Sequence, residues 1–151
     1  MSPSSTPWTV SSIGTGVMEK KGFVQYQFVI PLNAREGLVE ILTQISNKGL
    51  SSFLAVLKVF GDQKSMISFP SEGYTLALDF PVSDGLFHFL DELDEIVLRY
   101  GGRLYMSKDA RMKPGTLKIG YPRLDEFISI VKKYNPSGRI SSIQSERLLL
   151  T

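Results

Sequence analysis

Gly101-Gly102-Arg103-Leu104-Tyr105-Met106-Ser107-Lys108-Asp109-Ala110-Arg111 sets arginine, tyrosine, lysine and aspartate close together behind a double glycine. Tyr121-Pro122-Arg123-Leu124-Asp125-Glu126-Phe127 follows shortly after. Hydrogen-bonding and charged groups crowded between apolar elements are how a site looks when a scaffold carries it. Composition narrows the chemistry open to them. There is no cysteine, and His88 is the single histidine. That removes thiolate catalysis, disulfides and cysteine- or histidine-rich metal centres, and it argues against a Ser-His-Asp triad. No metal site is expected. Seventeen basic against 15 acidic side chains leave a net charge of +2, too even for the clustered basic face of a nucleic-acid binder.

The elements that must position these groups can be read from periodicity. At 151 residues, 42% hydrophobic and 21% charged, the chain is one globular domain with enough material for a core. Val24 to Ile30 alternates and is rich in β-formers, so it predicts a strand stopped by Pro31. Asn33, with Glu36 in capping-box spacing, predicts a helix start. Leu38, Ile41, Leu42 and Ile45 would form that helix's inner face, and Asn47-Lys48-Gly49 its end. Strands are expected over Phe53–Phe60 and Tyr74–Phe80, with a loop over 61–73. A second helix runs from Ser83 or Asp84 to about Tyr100, its apolar face Leu86, Leu90, Leu93 and Val97, and Gly101-Gly102 stops it. Arg103–Tyr105 is the fourth strand. Pro122 opens an extra helix with Leu124, Phe127, Ile128 and Val131 inward, and a tail with Leu148-Leu149-Leu150 packs back.

This β-α-β-β-α-β order is the ferredoxin-like α+β signature: an antiparallel sheet, helices on one face, the other face free. Alternation assigns the free face. Gln25 and Gln27 share it on the first strand, Lys58 and Phe60 on the second, Thr75, Ala77 and Asp79 on the third, and either Tyr105 or its neighbours on the fourth. Alternation alone favours a merely solvated face, with Lys58 and Asp79 as an exposed cross-strand ion pair of little worth. His88 reads as a surface residue. Asp91, Glu92, Asp94 and Glu95 read as a solvated helix face, and Phe87 and Phe89 as packing. Lys20 to Phe28 faintly resembles an RNA-recognition strand, but too few residues precede it for the strand-helix-strand such domains need.

Several runs together resemble one family. They are Gly-Gly-Arg-Leu-Tyr-x-x-Lys-Asp-x-Arg from Gly101, Tyr121 to Phe127, Asn135-Pro136-x-Gly138-Arg139 and Arg147-Leu148. Upstream they continue through Val24–Pro31, Ser52-Phe53-Leu54, Lys58-Val59-Phe60-Gly61, Leu78-Asp79-Phe80-Pro81 and Asp84-Gly85-Leu86. In order and over nearly the whole chain from Phe23, they resemble the C-terminal part of FAD-linked oxidases of the vanillyl-alcohol oxidase and aldonolactone oxidase type, in the branch acting on polyprenyl-phosphoryl sugars.

The resemblance implies residues 23–151 as a substrate (cap) domain, with 1–22 a leader or linker from an upstream FAD-binding domain. It implies FAD as cofactor and oxidation of a pentose hydroxyl, ribose to a 2-keto intermediate, in cell-wall arabinose-donor synthesis. Tyr105 and Lys108 are the implied catalytic residues, Tyr105, Ser107 and Lys108 the cofactor contacts, and Gln25, Gln27, Lys58, Phe60, Ala77 and Asp79 the substrate contacts. It further implies a keto-reductase partner and a cytoplasmic protein peripheral to the inner membrane. The chain alone is expected neither to hold FAD tightly nor to turn over. Ala77 stands where relatives carry cysteine, Ile143 at a usually acidic position and Leu149 at a usual glycine. Pro114-Gly115 interrupts a stretch that is more helical in relatives. Two other readings remain: an aldonolactone oxidase fragment, and a stand-alone ferredoxin-like binding module that dimerises through its open sheet face.

Overall fold

A computed structural model of the chain describes residues 22–151; the expected leader, Gly22 apart, lies outside the described residues. Strand β1 is Phe23–Ile30. Helix α1 is Arg35–Asn47, β2 is Ala55–Phe60, β3 is Gly73–Pro81 and α2 is Leu86–Arg99. Strand β4 is only Arg103–Leu104, followed by helices α3 (Pro114–Gly120), α4 (Leu124–Tyr134) and α5 (Ile143–Arg147). The sheet order is β2-β3-β1-β4 with every pairing antiparallel, so the expected α+β, ferredoxin-like arrangement is what forms.

Alternation decides which side is core. Tyr26, Phe28 and Ile30 of β1 and Leu76, Leu78 and Phe80 of β3 are buried on the helix side. Leu38, Ile41 and Ile45 of α1 and Leu86, Leu90, Leu93 and Val97 of α2 meet them. Gly102 lets β4 come in close, because a Cβ there would stand 2.4 Å from Val29 O. Gly101, at φ +71°, makes the left-handed turn that frees the chain from α2.

Several expectations are corrected. Asn33 does not cap α1, because Pro31 starts a 3₁₀ turn over Leu32–Ala34 that moves the helix start past it. Leu42 faces solvent rather than the core. Strand β2 begins at Ala55, although Phe53 N still donates to Asp79 O at 3.1 Å. Residues around Pro114 are helical after all: proline sits at the first helical turn, where it has no intrahelical partner to lose. Of α4's four expected inward residues only Leu124 is fully buried; Phe127, Ile128 and Val131 are half-buried. In the tail Leu148 is buried, while Leu149 is exposed with left-handed backbone, φ +57°.

Candidate functional site

The register puts the expected residues on one face. Gln25 lies opposite Asp79 and Gln27 opposite Ala77, while across β3 Val56 lies opposite Ala77 and Lys58 opposite Thr75. Tyr105 continues β4 by donating its N–H to Gln27 O at 2.9 Å, which brings it alongside Gln27. The face is not free over its whole length, however. Loop 61–72 folds across it. Phe69, 5% exposed, stacks on Tyr105 with centroids 4.3 Å apart and meets Phe60 edge-on at 5.9 Å. Arg103 Nη1 holds the loop by donating to Ser68 O at 2.9 Å. Val29 and Thr75 are fully buried although they point to this face.

What stays open is a half-polar surface floored by Gln27 and the small Ala77. Gln25 Nε2 donates to Asp79 Oδ1 at 2.7 Å, and Gln27 Nε2 to Thr75 Oγ1 at 3.3 Å. Both amide oxygens and Asp79 Oδ2 keep acceptor capacity. The suggested Lys58–Asp79 ion pair is absent, because Asp79 lies opposite Leu54 and is taken by Gln25. Lys58 and Lys108 are exposed and have no ion-pair partner among the described residues. They lie at opposite ends of the face, across three strand spacings or about 14 Å of sheet.

Because β4 stops after two residues, β1 outruns it and leaves a cleft at the sheet edge. Gln25, Gln27, Tyr105 and Lys108 line it, with Phe87 and Leu90 of α2 as its apolar wall. Phe89 is buried in packing as expected, but Phe87 is part of this wall. Ala77, Asp79, Lys58 and Phe60 lie on the face beyond the cleft, and Ser107 is exposed in the turn Met106–Lys108 without lining it.

The loop that carries Tyr105 and Lys108 is clamped from two sides. Arg111 makes two 2.9 Å bonds to the Asp94 carboxylate and a further one to Asp91. Tyr26 Oη donates to Asp94 Oδ1 at 3.0 Å, and Lys113 pairs with Asp91 at 2.8 Å. Asp94 is 4% exposed, so this part of the acidic run is not a solvated face. From the other side Gln144 Nε2 donates to Met106 O at 2.6 Å and Arg147 pairs with Asp109 at 2.8 Å. Asp109 in turn accepts the Arg111 and Met112 amides. Below the loop Tyr121 Oη donates to Leu104 O at 2.6 Å, under the Arg103 guanidinium.

Burial drives the electrostatics here. It pushes the Tyr26 phenol well up, and the Asp94 charge adds to that; it pushes the Tyr121 phenol up as well. Burial also raises Asp94 more than Arg111 and Tyr26 pull it down. For Asp91 burial is outweighed by Lys113 and Arg111, and its carboxyl lies below the usual range. His88 is a surface residue beside Glu92, 3.5 Å away. Periodicity missed Phe69, a lone aromatic in a loop, and the clamp partners Asp94, Gln144 and Arg147. Arg111 was visible only as part of the motif around Lys108.

No protein-family model matches the chain. Over 130 residues it is 44% identical to the decaprenylphosphoryl-beta-D-ribose oxidase of Mycolicibacterium smegmatis, covering 85% of this chain and 28% of the relative. Over 130 residues it is also 32% identical to an uncharacterized protein in the mprA 5' region of Streptomyces coelicolor, covering 85% of this chain and 35% of that relative. The chain therefore spans about a third or less of the length of these curated relatives.

Proposed function

We propose that residues 23–151, as kin of a decaprenylphosphoryl-ribose oxidase, form the substrate domain of an FAD-dependent oxidoreductase that oxidises a hydroxyl of a polyprenyl-phosphoryl pentose. The observation that carries this reading is the 44% identity over 130 residues to an oxidase so named. The open, half-polar sheet face beside an exposed, unpaired lysine supports it. An FAD-binding domain and a keto-reductase acting on the product are the partners the reading calls for. Among the described residues no helix is long and apolar enough to cross a membrane. For a substrate with a lipid tail, the reading calls for a protein peripheral to the inner membrane on its cytoplasmic side.

The residues suit a flavin. Tyr105 offers a ring and a hydroxyl, Phe87 and Leu90 an apolar wall, and Lys108 an ammonium free to face electron-rich oxygen or nitrogen. Bound FAD would supply the acceptor for the hydride that leaves the carbinol carbon, while the hydroxyl proton goes to water or a base. This chain's own residues do the rest. Gln25, Gln27 and Asp79 hold the sugar hydroxyls in donor–acceptor pairs, which orients one C–H bond. Lys58, at the far end of the face, suits the phosphoryl group. Lys108 polarises the reacting oxygen or steadies negative charge as it develops, and Tyr105 holds a hydrogen bond beside it. Ser107 stands next to Lys108 at the cofactor side. Phe60 and Phe69 close the upper end against water.

Substrate choice tests the reading. In the flavin-containing oxidase that carries this chain, anaerobic addition of polyprenyl-phosphoryl ribose should bleach the flavin, and a soluble aldonolactone should not. Bleaching by the lactone alone would replace this reading with the lactone-oxidase one.

A further inference from the structure

The Lys108 side chain makes no hydrogen bond or ion pair among the described residues. Where its ammonium stands therefore follows from where the turn Met106–Lys108 stands. Within the turn, Lys108 N–H donates to Tyr105 O at 3.0 Å and Asp109 N–H to Met106 O at 3.2 Å. Both bonds are local, so they fix the shape of the turn and not its place on the molecule.

The place is set by the residue after Lys108. Asp109 Oδ1 accepts the amides of Arg111 and Met112 at 2.8 and 2.6 Å, which closes the chain over 109–112. Asp109 Oδ2 accepts from Arg147 Nη2 at 2.8 Å, and Arg147 Nη1 donates to Met112 O at 2.5 Å. One guanidinium thus spans both ends of the segment that begins next to Lys108. Met112 is 1% exposed and belongs to the core, so the fork ties Asp109 to the packed interior. A planar fork can hold two acceptors at once, whereas an ammonium acts as a point charge. Gln144, one turn earlier on α5, holds Met106 O as well.

Arg111, the other guanidinium on this loop, has a different burden. It neutralises the buried Asp94, so removing it leaves an unpaired interior carboxylate and damages the fold first. Arg147 lies at the rim, its side chain 29% exposed. Leu148, buried beside it, still docks α5 when Arg147 is truncated.

We propose that Arg147 is a positioning residue for Lys108: its fork to Asp109 and Met112 fixes the turn from which the lysine is presented to the cleft. The inference rests on Lys108 acting at the flavin, as proposed above.

In the flavin-containing oxidase that carries this chain, Arg147→Ala should slow flavin reduction at saturating polyprenyl-phosphoryl ribose by about tenfold or more, the scale of a misplacement under an ångström. The substrate concentration giving half the maximal rate should change little. Guanidinium ion well below denaturing concentrations should restore the rate, which it would not do for a chain merely destabilised. Independently of turnover, the amide hydrogens of 106–109 should exchange faster in Arg147→Ala. Asp109→Asn, which keeps an acceptor for the turn amides and gives up the charge, should slow reduction in the same direction. Arg123→Ala, which removes the exposed Arg123–Glu126 pair, should not. In the Lys108→Ala background, adding Arg147→Ala should cost nothing further. An equal loss in both backgrounds overturns the proposal, because Arg147 would then act apart from Lys108. So does an unaltered rate in Arg147→Ala where Lys108→Ala is slow, an outcome that leaves the role of Lys108 standing. An unaltered rate in Lys108→Ala removes that role itself, and this inference with it.

Discussion

Asp94 shows how a residue's type and position can mislead. It sits in an acidic run, Asp91-Glu92-x-Asp94-Glu95 without the intervening Leu93, that reads as a solvated face, yet it is buried between Arg111 and Tyr26. Helical spacing places Asp94 only four residues from Leu90 and three from Val97, on the rim of the apolar stripe, and nothing local announces a guanidinium arriving from 17 residues away. Gln25, Gln27, Ala77 and Asp79 were legible because strand alternation is strict, whereas Tyr105 was singled out by the motif around Lys108. Phe69 was not, since a loop has no period. The buried phenols give this scale its prediction. Tyr26 and Tyr121 have folded-state pKa values raised above the unfolded value, first by burial. Their stabilisation is fully present below about pH 10 and is lost as pH rises through the folded values. One unit above the ordinary phenol value the loss is about 1.4 kcal/mol for each. Urea midpoints between pH 8 and pH 11 should fall accordingly, and Tyr121→Phe should flatten part of the fall. Midpoints that do not change with pH in that range would count against the burial account.

Among the elements, strong periodicity served well and short pieces did not. The strands β1 and β3 and the helix α2 lie within a residue or two of where the pattern put them, because each buries a full apolar row or stripe. Helix α1 started late because Pro31 imposed a 3₁₀ turn, and α3 and α5, of seven and five residues, are too short to show a period. Helix α5 matters despite its size. Through Gln144 and Arg147 it braces the loop that carries Lys108. The chain leaves it at Leu149 with φ +57°. A non-glycine residue in that conformation costs about 1 kcal/mol, and Leu149 is too exposed to recover much of it by burial. Leu149→Gly should therefore stabilise the chain by about 1 kcal/mol, read as a higher denaturation midpoint. A lower midpoint would show that the leucine side chain contributes more than its exposure implies.

Over the described residues, the chain is a sheet with one face buried under helices and the other partly open. A loop closes part of the open face, and the rest presents amides, a carboxylate and two lysines without an ion-pair partner among the described residues. Its architecture was legible from element order alone, but the function was not: alternation by itself favoured a solvated face, and the proposal of a substrate there rests on the similarity to an oxidase. The central claim is that this face and the Lys108 rim complete a flavin site. Rapid-mixing measurement of flavin reduction by polyprenyl-phosphoryl ribose, in the flavin-containing oxidase carrying this chain, tests it most directly. Lys108→Ala should slow reduction at saturating substrate by about a hundredfold or more, the scale of a lost group acting on the reacting oxygen, with the flavin still bound. Reduction at the unaltered rate in that variant would contradict the claim.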